Sequence, residues 1–269
     1  MCPHCRAFIT SSDKTCPYCN TPVGPRAIER RDPGPILGGL IPQAHFVTSM
    51  ILLINFGLYA ATALYSARTG NGGWVDIDGQ TLIAFGGKVR AAILGYGQWW
   101  RLVTAGFLHG GLFHILMNSW VLFDVGAQVE QIYGARRLIV IYFASTVCGF
   151  LASTFWSNSL SIGASAGLFG LIGAMIAVGV RHKGSFGHAI RGLYIRWAIY
   201  GLMIGLLPGI DNAAHIGGLA AGFACGYLAG LPSIVENFTE KVWRIASYAA
   251  LIATGYSFLQ MFLWFRSAA

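Results

Sequence analysis

The chain has 269 residues, of which 55% are hydrophobic and only 10% charged, with a mean hydropathy of +0.59. Soluble domains carry about 25% charged residues, so a soluble globular protein is excluded and an all-α polytopic membrane protein is indicated. The net charge of +8 does not point to nucleic acid, because the basic residues gather at the ends of apolar runs, where positive charge sets topology.

Residues 1–24 read as a unit of their own. Cys2-Pro3-His4-Cys5 is followed after ten residues by Cys16-Pro17-Tyr18-Cys19. Two CxxC knuckles in a segment too short for a hydrophobic core match tetrahedral zinc held by Cys2, Cys5, Cys16 and Cys19, a zinc-ribbon-like arrangement. Two disulfides or four idle thiols are the alternatives. His4 and Tyr18 read as filler within the knuckles. Residues 25–43, rich in proline and charge, read as a linker. No basic stretch followed by an apolar one precedes the first long apolar run, so that run is expected to serve as its own insertion signal.

Apolar segments of about bilayer length then recur near 44–66, 112–132, 137–157, 164–181, 190–207, 213–231 and 242–265. They divide into a six-helix core over 44–232 and a seventh helix with its tail over 233–269. Arg26, Arg30, Arg31, Arg136, Arg137, Arg181, Lys183, Arg191, Lys241 and Arg244 all fall on one face, which the positive-inside rule makes cytoplasmic. The cysteine segment then lies in reducing cytosol, which favours zinc over disulfides. The loop from about 68 to 110, with Trp99-Trp100-Arg101, reads as lying half-submerged at the opposite interface, its rings at headgroup depth and its guanidinium in water.

Polar residues inside spans are functional candidates by default. Ser165 stands in Gly163-Ala164-Ser165-Ala166-Gly167-Leu168-Phe169-Gly170, at the start of the fourth span. Small residues along an apolar helix commonly mean only close packing, and such a serine commonly bonds its own backbone. Three partners at the same depth favour chemistry instead: His114 and Asn118 on one face of the second span, and His215 near the start of the sixth. Glycines 163, 167 and 170 on one helix and 218, 222 and 226 on the other allow the backbones to approach. Ser165 with His215 as base makes an activated nucleophile, with no third acidic residue evident; Asp211 reads as a solvated loop residue. His114, Asn118 and the Ser165 amide are candidate oxyanion donors. Asp124, Glu130 and Arg196 read as packing or snorkelling residues, Cys148 and Cys225 as small core residues, and His109 as a support of the loop.

These motifs resemble the rhomboid family of intramembrane serine proteases. The resemblance runs from about Leu82 to Leu231: Trp100-Arg101, His109 with His114-Ile115-Leu116-Met117-Asn118, Glu130 with Tyr133-Gly134, the Gly163 to Ala166 block, and Ala214-His215-Ile216-Gly217-Gly218. It implies Ser165 as nucleophile, His215 as base, His114 and Asn118 as oxyanion donors, and no cofactor for catalysis. The residue after the serine, often glycine in this family, is Ala166. The implied activity is cleavage of transmembrane segments of other membrane proteins near the extracytoplasmic face, in a bacterial plasma membrane. The alternative is an inactive relative that only binds membrane clients. The ribbon leaves three roles open: recruiting a cytoplasmic partner, sensing metal, or stabilising the N-terminus.

Overall fold

The computed structural model describes residues 2, 4–5, 7–8, 15–21, 45–70, 72–233 and 237–268. The linker expected over 25–43 and the basic residues Arg26, Arg30 and Arg31 lie outside them. Contacts divide the chain into two units, Met1–Gln43 and Ala44–Ala269. Regular structure among the described residues is helical, apart from isolated antiparallel bridges such as Lys88 with Ser161.

In the larger unit, α1 (Phe46–Thr69) is followed by three short helices, α2 (Gly79–Ala84), α3 (Arg90–Tyr96) and α4 (Arg101–Thr104). Then come α5 (Leu112–Val121), a π-helical turn (Leu122–Gly126), α6 (Ala127–Trp156), α7 (Ser165–Arg181), α8 (Ser185–Ile204), α9 (Asn212–Ala229) and α10 (Phe238–Ala268). Helices α5 and α6 run together for 45 residues, far longer than one bilayer crossing. The run breaks at Gly134, whose φ of 76° and ψ of 163° interrupt the helix and separate the second span from the third. The seven apolar segments expected from hydropathy are thus all present as helices, and the protein is an integral membrane protein with the small cysteine segment ahead of it.

Without a hydrophobic force between helices in lipid, close packing and polar contacts must join them. Helices α7 and α9 meet backbone to backbone: a methyl on Gly222 would land on the Gly170 carbonyl, and one on Gly218 on the Ala166 carbonyl. The Tyr133 hydroxyl donates to the Ala174 carbonyl at 3.0 Å or the Gly226 carbonyl at 3.1 Å, bridging α7 and α9 from α6. Glu130, read as packing or snorkelling, is more specific than that. Its carboxylate accepts the Val47 and Thr48 amides at 2.9 Å each and the Thr48 hydroxyl at 2.7 Å, satisfying first-turn donors of α1 that have no partner within their own helix.

Three sequence expectations need correction. The Arg101 guanidinium is not in water: it is buried and donates to the carbonyls of Ile83 at 2.7 Å and Gly87 at 2.9 Å and to Gln98 Oε1 at 2.6 Å, with Trp100 and Trp264 on its faces. A planar fork of donors suits carbonyls that a short loop cannot pair within itself. Arg137 is not only a topology charge but a buried bidentate partner of Glu240 at 2.8 and 2.9 Å, joining α6 to α10. Cys148 is exposed on α6 instead of sitting in the core.

Candidate active site and metal-binding cysteines

Ser165 opens α7. The preceding turn requires Gly163, which sits at φ +125° with its absent Cβ only 2.7 Å from His114 Nε2. Gly163 is fixed in turn by its amide donating to the Ala105 carbonyl at 2.9 Å. The structure brings together the residues singled out by depth: His215 Nε2 lies 2.9 Å from Ser165 Oγ, and the His215 ring stacks on Phe169 at 4.3 Å between centroids and 14° between planes.

The tautomer of His215 follows from its neighbours. Asn212 Nδ2 donates to the Leu202 carbonyl at 3.1 Å, which turns the amide oxygen towards His215 Nδ1, also at 3.1 Å. That oxygen can only accept, so Nδ1 carries the proton and Nε2 presents a lone pair to the Ser165 hydroxyl. Asn212 is the residue that sequence reasoning missed in seeking a third acidic group. Its signal was present: three residues before His215 on the same helix face, and polar. Gly205 leaves the space that the Asn212 amide fills.

Similar reasoning orients His114. The Gly110 amide donates to its Nδ1 at 3.4 Å, so Nε2 is the protonated nitrogen and points towards Gly163. Asn118, one helical turn on, is buried, and its Nδ2 has no hydrogen-bond partner among the described residues. It lines the same groove as Ser165, where a buried amide is a candidate donor to a ligand oxygen. His109 is fully buried and meets His114 edge to face at 5.1 Å, in keeping with support of the loop.

Asp211 is not a solvated loop residue. It caps α9 by accepting the Ala214 amide at 3.1 Å and the Ser153 hydroxyl. Burial alone would raise its carboxyl, but hydrogen bonds from Ser153, Ser161 and Ala214 and the Lys88 charge hold it below the usual carboxylate range.

An apolar groove of about 450 Å³ runs from Ser165 and Asn118 along α5 and α8, lined also by Met117, Trp120, Arg196 and Tyr200. A polar cleft of about 300 Å³ lies between Ser157 to Leu160 and Gly209 to Ala213. A further cavity of about 850 Å³ between residues 96–100 and α10 contains none of these polar groups.

In the N-terminal unit the four cysteine sulfurs lie within 4.8 Å of one another, with Cys2 to Cys19 and Cys5 to Cys16 at 3.6 Å. Sulfurs about 2.3 Å from a tetrahedral zinc stand about 3.7 Å apart, so the spacing fits a zinc ion held by four thiolates, and 3.6 Å is far from a disulfide bond. The metal there would be structural, replacing the core that the segment cannot build.

A rhomboid domain, as defined across its family, matches residues 96–232. "Rhomboid protease GluP" of Bacillus subtilis is 37% identical over 190 residues, 70% of this chain and 36% of that protein. "Rhomboid-like protease 2" of Toxoplasma gondii is 34% identical over 184 residues, 65% of this chain and 62% of that protein. "Inactive RHOMBOID-like protein 8" of Arabidopsis thaliana is 40% identical over 141 residues, 51% of this chain and 40% of that protein. The chain therefore spans less than two thirds of the length of each of these relatives, and their names include both proteases and an inactive member. The domain match covers the groove and every polar residue gathered around Ser165, and the chain belongs to the rhomboid family.

Proposed function

We propose that the chain is an intramembrane serine endopeptidase that cleaves transmembrane segments of other membrane proteins. The observation that carries this reading is the 2.9 Å contact between His215 Nε2 and Ser165 Oγ, with Asn212 on the other ring nitrogen. Ser165 attacks the scissile carbonyl while His215 takes its proton, then returns it to the leaving amine. Asn212 holds the ring in the tautomer that can act as base. His114 Nε2–H, Asn118 Nδ2 and the Ser165 amide stabilise the tetrahedral oxygen, and losing the Asn118 donor costs about a hundredfold in turnover. A regular helix hides its carbonyls, so favoured substrates carry small or helix-breaking residues near the cut.

In this reading the chain divides into a zinc ribbon over 1–24, a linker over 25–43, a catalytic core over 44–232 and a seventh helix over 233–269. The ribbon is cytoplasmic and the Ser165 site opens to the extracytoplasmic side of a bacterial plasma membrane. The test is Ser165→Ala in pure detergent-solubilised protein with a single-span substrate. Cleavage disappears while the melting temperature is kept; undiminished cleavage overturns the mechanism. Zinc content of the Cys2, Cys5, Cys16, Cys19 quadruple serine variant falls from one per chain to none if the ribbon is a metal site.

A further inference from the structure

Of the lysines among the described residues, Lys88 alone is buried, at 0% exposure. It lies between α2 and α3, far in sequence from the polar cluster at Ser165. A buried ammonium is costly unless its donors are matched. Lys88 Nζ donates to the carbonyls of Ser157 at 2.8 Å and Ser159 at 3.2 Å. Its backbone pairs both ways with Ser161, amide to carbonyl at 3.0 and 3.1 Å. One residue therefore holds three positions of the loop that continues through Gly163 into Ser165. The segment bearing Lys88 is itself anchored, since Arg101 donates to the Gly87 carbonyl at 2.9 Å.

The same loop faces Asp211 and Asn212 across the polar cleft. Asp211 caps α9, and the next residue, Asn212, orients His215. Burial pulls the Lys88 ammonium down from the ordinary lysine range; the Asp211 charge raises it and the Arg90 charge lowers it further.

We propose that Lys88 is a positioning residue for the Ser165–His215 dyad, its ammonium and backbone fixing the loop from Ser157 to Ser161 that leads into Ser165. It touches no reacting atom. The proposal rests on the reading of Ser165 and His215 as a dyad, and misplacing such a pair by about 1 Å costs about a hundredfold in rate.

The experiment uses the full chain in detergent, a single-span substrate and a fluorophosphonate that reacts with an activated serine. Lys88→Met is labelled to the same final extent as the parent, but kcat and labelling rate fall about ten- to a hundredfold while KM stays within about twofold. Lys88→Arg recovers most of the rate. If activity falls only in proportion to the labelled fraction, or Lys88→Arg is no better than Lys88→Met, Lys88 is merely structural and the proposal is wrong. Should Lys88→Met not be recovered folded, Lys88→Gln is read on the same quantities: a slowed rate with full labelling supports the proposal, and parental rate per labelled serine overturns it. A parent protein that neither cleaves nor labels would instead overturn the dyad reading, so the two failures are distinct.

Discussion

Helices α9 and α10 are both apolar, yet they are held in opposite ways. Helix α9 lies against α7 through glycine, with Gly218 and Gly222 resting on the Ala166 and Gly170 carbonyls and no side chain between. Helix α10 is attached through side chains: the Arg137–Glu240 pair, Trp264 over Arg101, and Phe265 against Tyr65 and Phe85. Only 11% of its most apolar window is buried. A distance set by two backbones has almost no freedom, whereas one set by long side chains can adjust. His215 rides on the first kind of contact, which is where a 2.9 Å reach to Ser165 has to be kept.

The comparison breaks most sharply if one substitution is made on both helices. Gly222→Ala forces the α7 and α9 backbones apart, and substrate cleavage is expected to fall below about 1% of the parent because the proposed nucleophile Ser165 and base His215 separate. Parental cleavage by that variant would show that the backbone contact does not set the geometry. Next in size is Arg137→Met, which leaves Glu240 buried without its partner and lowers unfolding stability by about 3–5 kcal/mol in chemical denaturation. Arg137→Met with Glu240→Met restores most of the loss, and turnover per folded molecule changes little in either variant. Asp211 gives a smaller, pH-dependent effect. Its folded carboxyl lies below the ordinary range, so the stability it supplies is full above about pH 4 and is lost as pH falls through its folded pKa. The difference in melting temperature between parent and Asp211→Asn should accordingly be flat above about pH 4 and shrink below it. The smallest effect belongs to Gly255→Ala on α10, where nothing lies within 4 Å of the added methyl. Better helix propensity there stabilises by about 0.5–1 kcal/mol and leaves activity unchanged.

What the sequence made legible followed from one-dimensional rules. Apolar length located the spans, and shared depth with glycine spacing drew Ser165, His114, Asn118 and His215 to one site. What it hid were contacts between residues distant in the chain with no motif of their own. Asn212 shows its spacing to His215 in the sequence, but the direction of its amide depends on the Leu202 carbonyl. Arg101 beside two tryptophans has the composition of an interfacial anchor, and only the carbonyls of Ile83 and Gly87 turn it inward. Asp211 reads as solvated because hydropathy does not report that the Ser153 hydroxyl and the Ala214 amide converge on its carboxylate. Lys88 gave no signal at all: a lysine in a loop is usually solvated, and its burial depends on carbonyls about seventy residues away.

The unpaired amide of Asn118 sets durability against speed. In the protease reading, this buried donor is matched only when a tetrahedral oxygen is present, and leaving it unmatched costs stability. Selection for a sturdier protein alone would replace that residue with leucine, and Asn118→Leu should indeed melt higher while working far more slowly. A carbonyl-bearing inhibitor that occupies the same place should raise the melting temperature of the parent and leave that of Asn118→Leu almost unmoved, so thermal shift alone can report how well a compound imitates the fleeting oxygen.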